Sequence, residues 1–486
     1  MIGSKSIVLD WQTWLRGMSS SPEIADGGFS SETDAVNLIA QPGVVYAPAS
    51  AVDSDTDTRL SGNGEIIATS PDMTAFGGNE RLLVAADGSQ DGTFFRYNGT
   101  KISAAAYATD TTRNYQKGFT DIITFAGEAY VTSKETIVRW QADNTITQDF
   151  FTFDTSYGNT IPHPAIIFEN NAFYGSRDSS GRAILLRQTA AAGTPATILT
   201  LTADQIIIAL GIDPGSGKML ISTTNSLNIS QTIPAINKVL WYDGFSNKVS
   251  KSIIVEDMIT AIHSHGGTNF VGYGRNLGYL NGAGITFLRK LLNVTNDDTK
   301  LPHKHSFASL GQTMYVIDGS QVLAYGPVGS GNPIWYYAHK NRVSSNIYAC
   351  IFNAGGTSGS ANSKLGLSFA TEKFYTFDVV SVATIDELNL FTNWIIFPRP
   401  VQIRSLSVQF KAAITSSANY AFTYYDQSQV AIKGTLTYFD GTQTSVTELN
   451  NIVGFTDKLT ALKIELSFGT DNRGLRLITI YYDPVE

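Results

Sequence analysis

"DIITFAGEAYVTSKETIVRW", residues 121 to 140, reads as three short strands joined by two turns. An apolar run, "DIITF", leads into Ala-Gly-Glu; a second, "AYVT", leads into Ser-Lys-Glu; a third, "TIVRW", ends on an aromatic residue. β-Branched and aromatic side chains suit a pleated, half-buried surface, and Gly supplies the backbone freedom of a tight turn. The same order recurs at 164 to 186 ("PAIIFENNAFYGSRDSSGRAILL"), 205 to 230, 258 to 282 and 305 to 326, and with a longer loop at 347 to 379. Comparable points fall roughly 40 to 50 residues apart, which is the period of a propeller blade. Units of three or four strands cannot bury both faces alone, so they stack radially, and the spacing predicts about six or seven blades. The repeat carries neither a WD nor a kelch signature, and a long β-sandwich or solenoid gives similar spacing.

Within this pattern, "AADGSQDGTFFRYNGT" (85 to 100) places Asp87, Ser89, Asp91 and Gly92 in the register of a calcium loop. The twelfth position, however, is Asn98 instead of a bidentate Glu, and the flanks are β-prone. The stretch therefore reads as a hairpin loop in which Asp, Ser and Gly serve the turn, the alternative being a weak calcium site.

The chain of 486 residues exceeds the usual size of one domain, and its 43% hydrophobic content is that of a globular protein. Only 16% of residues are charged against 43 Gly, 22 Tyr and 26 Phe, a profile of short strands and tight turns. A net charge of −8 with no Lys/Arg run argues against gripping nucleic-acid phosphates, but not against an acidic wall that DNA passes. A single cysteine, Cys350, excludes an internal disulfide framework, and no apolar run is long enough for a membrane helix. The opening "MIGSKSIVLDWQTW" lacks the pattern of a secretory signal, so synthesis in a cytoplasm is expected.

Near residue 384 the pattern changes. Leu462, Ile464, Leu466 and Phe468 alternate with Lys463, Glu465 and Ser467, and Tyr420, Phe422 and Tyr424 alternate likewise. Strict period-2 patterning predicts one face in a core and one in water, and Pro398 and Pro400 mark an edge or boundary. The expected organisation is all-β: an extended N-terminal arm (1–50), a β-propeller-like repeat domain (51–383) and a C-terminal β-sandwich (384–486). In the arm, Trp11, Trp14, Leu15 and Phe29 are isolated apolar anchors in a polar stretch. They are expected to dock on a neighbouring subunit or another protein; the alternative is a strand that closes the propeller from outside.

Candidate chemistry is sparse. His263 with His265, and His303 with His305, would each face one side if placed on a strand, but no carboxylate lies close in sequence to complete a metal site. "GIDPGSGKML" departs from a phosphate loop because Met219 follows Lys218, and "SQDGTFF" departs from the sialidase Asp-box at Thr93. Asp53, Asp55 and Asp57 read as a solvated turn. The expectation is a protein that is not an enzyme, with no catalytic residue, cofactor or metal.

The run "WQTWLRGMSSSPEIADGGFSSETDAVNLIAQPGVVY" resembles the opening of tailed-bacteriophage structural proteins, through Trp14, Arg16, Gly17, Gly28, Phe29, Asn37, Pro42, Gly43 and Val44. The overall plan also resembles tail nozzle and tail hub propeller proteins. This resemblance implies a virion protein of the tail or neck, assembled in the host cytoplasm. Its partners would be other tail or neck proteins and further copies of itself in a homo-oligomeric ring, with DNA passing unbound during ejection. Two alternatives remain: a virion adhesin that binds host glycans on Tyr and Trp platforms, and a carbohydrate-active propeller enzyme with paired carboxylates in its mouth.

Overall fold

In a computed structural model of the chain, the described residues are 5–9, 18–19, 29–30, 39–41, 44–46, 52–53, 64–71, 76, 80–99, 102, 108–154, 156, 161–227, 235–291, 301–319, 321–327, 333–340, 348–354, 364–369, 373–378, 388–392, 394–413, 420–426, 432–436, 448–452, 458–468 and 475–485. The chain forms two compact units, one of Val52–Ser320 with Val343–Thr376, the other of Met1–Ala51 with Gln321–Arg342 and Phe377–Glu486.

The first unit is a β-propeller. Blade 2 shows the plan: Asp121–Phe125, Glu128–Thr132, Thr136–Trp140 and Ile146–Thr152 form an antiparallel sheet in sequence order. Sheets of the same kind begin at Glu65 (blade 1), Ala165 (blade 3), Ile206 (blade 4) and Ile259 (blade 5). The hairpin Phe307–Leu310/Thr313–Asp318 takes the sixth position and a sheet beginning at Tyr348 the seventh. The first strands pack side by side, and the ring closes where Tyr348–Asn353 meets Glu65–Thr69.

Each blade buries both faces against its neighbours, because successive side chains on a strand point to opposite sides. On blade 1, Ile67, Val84 and Phe94 join Ile122, Val131 and Trp140 of blade 2 in one core. The alternate residues Ile66, Leu83 and Phe95 join Cys350 and Phe352 of blade 7 in another. Cys350 is buried in that second core, and burial pushes its thiol up to about 12, so it is packing and not a nucleophile.

Closure uses an out-of-order strand. Val52 and Asp53 pair with Thr376 and Tyr375, so a segment that precedes blade 1 supplies the fourth strand of blade 7. This closing strand lies at 52–53, outside the arm of residues 1–50 for which closure was the alternative reading, and of the expected acidic turn only Asp53 falls among the described residues.

In the second unit the two strands expected from alternation both form and pair with each other, with Tyr420 opposite Phe468, Phe422 opposite Leu466 and Tyr424 opposite Ile464. The 16-residue strand Ile395–Phe410 is central to a single sheet, pairing first with Lys458–Phe468 and then with Glu448–Ile452 and Leu475–Pro484. Pro398 and Pro400 fall in the interval between Ile396 and Val401 where the register shifts, since proline cannot donate to the ladder. One expectation fails on the outward face. Lys463 is 4% exposed, its ammonium 5.9 Å from the Trp394 ring and 6.0 Å from that of Tyr425, so aromatic cover replaces water there.

The arm also departs from expectation. Lys5–Leu9 forms a strand antiparallel to Leu475–Pro484, Leu9 is buried opposite Ile478, and Val45 pairs with Leu475. This part of the arm completes its own chain's sheet. Trp11, Trp14 and Leu15 lie outside the described residues, and Phe29 is described only as part of a two-residue strand parallel to Met18–Ser19.

The 85–100 stretch is a hairpin between Arg81–Ala86 and Gly92–Tyr97. Asp87 Oδ1 accepts the N–H groups of Ser89 (2.8 Å) and Asp91 (3.0 Å), and the same local bonding recurs at Asp178, Asp213 and Asp243. Gly92 is required because a Cβ there would lie 2.4 Å from the Tyr115 ring, whose hydroxyl donates to Asp110 at 2.9 Å. Asp87→Ala is therefore expected to lower unfolding stability by about 0.5–1.5 kcal/mol, whereas Asp91→Ala, whose backbone rather than carboxylate serves the turn, changes it little. Urea midpoints that are equal in the two variants would refute this assignment.

Candidate functional site

The sequence "PHKHS" (302–306) turns the chain from blade 5 to the sixth position. His303 is extended, Lys304–Ser306 make a 3-10 turn, and reciprocal bonds close it: His303 N donates to Ser306 Oγ at 3.1 Å and Ser306 N to the His303 carbonyl at 2.8 Å. His303 and His305 thus flank a turn and do not share a strand face, so the i, i+2 argument for a metal pair does not hold for them. The turn instead places three basic side chains at the centre of the ring of first strands.

Lys304 Nζ donates to both carboxylate oxygens of Asp121 and to the Ala165 carbonyl, each at 2.9 Å. His305 Nδ1 accepts the Thr69 N–H at 3.4 Å, so its Nε2 carries the proton and points it at Asp121 Oδ1, 3.2 Å away. His303 Nε2 bonds the Ala349 carbonyl at 3.0 Å. One turn therefore holds blades 1, 2, 3 and 7 together. Asp121 also accepts the N–H groups of Ile122 (2.8 Å) and Ala165 (2.9 Å), so its lone pairs are fully committed.

Burial alone would raise the Asp121 carboxyl, but the adjacent Lys304 ammonium and the His305 ring outweigh it and hold the group at about 2. Burial pushes His303 and His305 down, which keeps both rings neutral. His303 Nε2 faces a carbonyl and must carry the proton, leaving Nδ1 as an acceptor with no partner among the described residues. Cavities of about 30 and 50 Å3 border it, enough for a water molecule.

The other histidine pair does share a strand face. His263 Nε2 and His265 Nδ1 both bond Ser309 Oγ, at 2.8 and 2.9 Å, and His265 Nε2 bonds the Gln312 carbonyl at 3.0 Å. The His263 ring also stacks on Phe307. The pair clamps blade 5 to the sixth position, and no group of three or more His, Cys, Asp or Glu able to hold a metal occurs among the described residues.

Burial, with a smaller contribution from His265, lowers His263 to about 4. A histidine depressed in the folded state contributes stability that is complete above the unfolded value near 6.5 and is lost as pH falls towards the folded value. Stability is thus expected to drop from pH 6.5 downward through His263, His303 and His305, and again below about 4 as Asp121 titrates. His263→Gln should lessen the loss between pH 7 and 4.5 by about 2 kcal/mol. Urea midpoints with the same pH slope in variant and parent would show that His263 plays no part.

Sequence reasoning singled out the four histidines but missed Asp121 and Lys304, which carry most of the charge. "GIDPGSGKML" is a hairpin loop, with Asp213 opposite Lys218 and the Asp213 carboxylate accepting from Trp241 Nε1 at 2.9 Å. Among the described residues no helix is long and apolar enough to cross a membrane.

No protein-family model matches the chain, and no curated protein matches it. Among solved structures it is similar to Sqt1 of Saccharomyces cerevisiae, with a TM-score of 0.40 and 11% identity over 68% of this chain and 93% of that one. It is also similar to a chain of the Mitotic Checkpoint Complex (0.42, 11%, covering 73% and 97%) and to Raptor of Chaetomium thermophilum (0.41, 7%, covering 65% and 27%).

Proposed function

We propose that the chain is a non-enzymatic structural protein of a tailed-bacteriophage virion, part of the tail or neck, acting as a homo-oligomeric ring around the path of DNA ejection. The observation that carries this reading is the axial cluster: Asp121, Lys304 and His305 are committed to bonds between blades, which makes the centre of the propeller a scaffold. With side chains filling that centre, DNA passes through a lumen framed by several copies and not along one propeller's axis. The N-terminal resemblance names the kind of particle, and the net charge of −8 suits a wall that phosphates slide past.

The test is a virion reconstruction together with the mass of the purified protein. Symmetric density for this chain in the tail or neck, with an acidic lumen, is the expected result. A monomer absent from virions, or one that binds DNA tightly with a steep salt dependence, would refute the proposal.

One observation favours the adhesin reading. In the hairpin Gln321–Pro327/Pro333–Lys340, Tyr325 and Trp335 lie opposite each other with ring centroids 4.6 Å apart and both rings half-buried, a platform on which a sugar ring can stack. Under that reading, free protein added to host cells lowers infection and Trp335→Ala removes the protection.

A further inference from the structure

Between the outer strands of blades 3 and 4 lies a groove of about 450 Å3. One wall is the strand Ala196–Ala203, which is outermost in its sheet and, among the described residues, pairs only with Arg182–Gln188. Four consecutive residues of this strand, Leu199 to Thr202, line the groove. Successive side chains point to opposite faces, so a cavity lined by four in a row runs along the strand's edge, where alternate backbone N–H and C=O groups have no ladder partner.

The opposite wall belongs to blade 4 and the turn between its last two strands. Leu240 and Val249 continue the aliphatic floor, and Lys238 and Lys248 flank it. Among the described residues, no Asp or Glu lines the groove and neither ammonium has an ion-pair partner. In a chain of net charge −8, this is a cationic cleft on an acidic protein.

Exposed apolar side chains gather around it. Ile254 is 74% exposed and is the cross-strand partner of Lys238, so it shares the face that forms the wall. Phe245, 61% exposed, sits in the turn that supplies Lys248, and Ile236, 48% exposed, precedes the strand that carries Lys238. A monomeric surface has little reason to cluster such residues beside an open strand edge.

We propose that this groove is a docking site for an extended acidic peptide, which adds as a fifth strand to the edge of Ala196–Ala203. The edge supplies main-chain hydrogen bonds, the aliphatic floor takes alternate apolar side chains, and Lys238 and Lys248 take carboxylates of the peptide. A glycan fits less well because no aromatic side chain among the described residues lines the groove for a sugar ring to stack on. The inference concerns a surface of blades 3 and 4 and stands apart from the virion reading, since neither ring formation nor a place in a tail enters the argument.

The test uses the full-length chain and a fluorescein-labelled octapeptide of alternating Leu/Val and Glu, followed by anisotropy. Saturable binding is expected, weakened by about tenfold in Lys238→Glu/Lys248→Glu. It should be lost when alternate peptide residues are Pro, which cannot pair with a strand edge. Hydrogen exchange should slow at the outward amides of residues 196–203 when the peptide is bound. Both lysines have solvent-reaching side chains, and unchanged circular dichroism confirms that the charge-reversed protein folds. The proposal is overturned if the peptide does not bind or if charge reversal leaves binding unchanged. It is overturned equally if the Pro peptide binds as well, or if polygalacturonate displaces the peptide at equal charge, which would mark a general anion or glycan site.

Discussion

Lys304→Met is expected to destabilise the propeller by about 2–3 kcal/mol at pH 7, less than the loss of a fully buried pair because the Lys304 side chain is 36% exposed while Asp121 is buried. Asp121 is 4% exposed, and the methionine keeps the length of the lysine stem while removing the three donors that reach the carboxylate and the Ala165 carbonyl. With Lys304 gone, burial dominates and the Asp121 carboxyl moves up. A group raised above its unfolded value contributes stability below that value and loses it as pH rises. The gap between variant and parent should therefore narrow between pH 7 and 4, as the variant's Asp121 takes up a proton. Asp121→Asn added to Lys304→Met should recover part of the loss, because the double variant buries no charge. The measurement is a double-mutant cycle of urea midpoints at pH 7 and pH 4.5. A Lys304→Met protein within about 1 kcal/mol of the parent at pH 7 would show that the ion pair behaves as an exposed one and does not lock the ring.

Why this lock escaped the sequence while the blades did not follows from the range of the interactions. A blade is built from neighbours: "DIITF", "EAYVT" and "TIVRW" pair across turns of two or three residues, so apolar runs and turn chemistry are enough to place them. The alternating strands were equally readable through their period of two, but Pro398 and Pro400, expected at an edge or boundary, fall inside the strand Ile395–Phe410 at a register shift. Asp121 and Lys304 are 183 residues apart, and nothing near Asp121 distinguishes it from any acidic residue that opens a strand. "PHKHS" did stand out, but as a histidine pair, because the spacing of two suggested a strand where a 3-10 turn forms. Lys463 misled for a related reason: alternation assigns it to the water face, and only the tertiary structure brings Trp394 and Tyr425 over it. The groove of blades 3 and 4 was invisible for the same cause, since Lys238 and Leu201 become neighbours only when two blades stack.

Removing residues 1–9 is expected to lower the stability of the C-terminal sheet by about 2–4 kcal/mol, where an arm docked on a partner would leave it nearly unchanged. Lys5–Leu9 pairs residue for residue with Tyr482 back to Ile478, and Leu9 is 2% exposed. Loss of that strand uncovers a buried leucine site and bares one edge of Leu475–Pro484, whose other edge is taken by Ile395–Phe410. An exposed edge carrying Ile478 and Ile480 is a template for pairing with other chains, so the truncated protein should also aggregate on warming. Leu9→Ala separates the two contributions. It should cost about 2–3 kcal/mol through the cavity while keeping the ladder, and it should not aggregate. The docking role proposed for Trp11 and Trp14 needs a separate test that leaves Lys5–Leu9 in place. Trp11→Ala/Trp14→Ala in the full chain should melt with the parent and fail to assemble, because anchors that fill a partner's pocket contribute nothing to the isolated fold. A truncated chain lacking residues 1–9 that melts with the parent would show the first strand to be dispensable. A tryptophan double variant that unfolds several degrees early would return those side chains to this chain's own core.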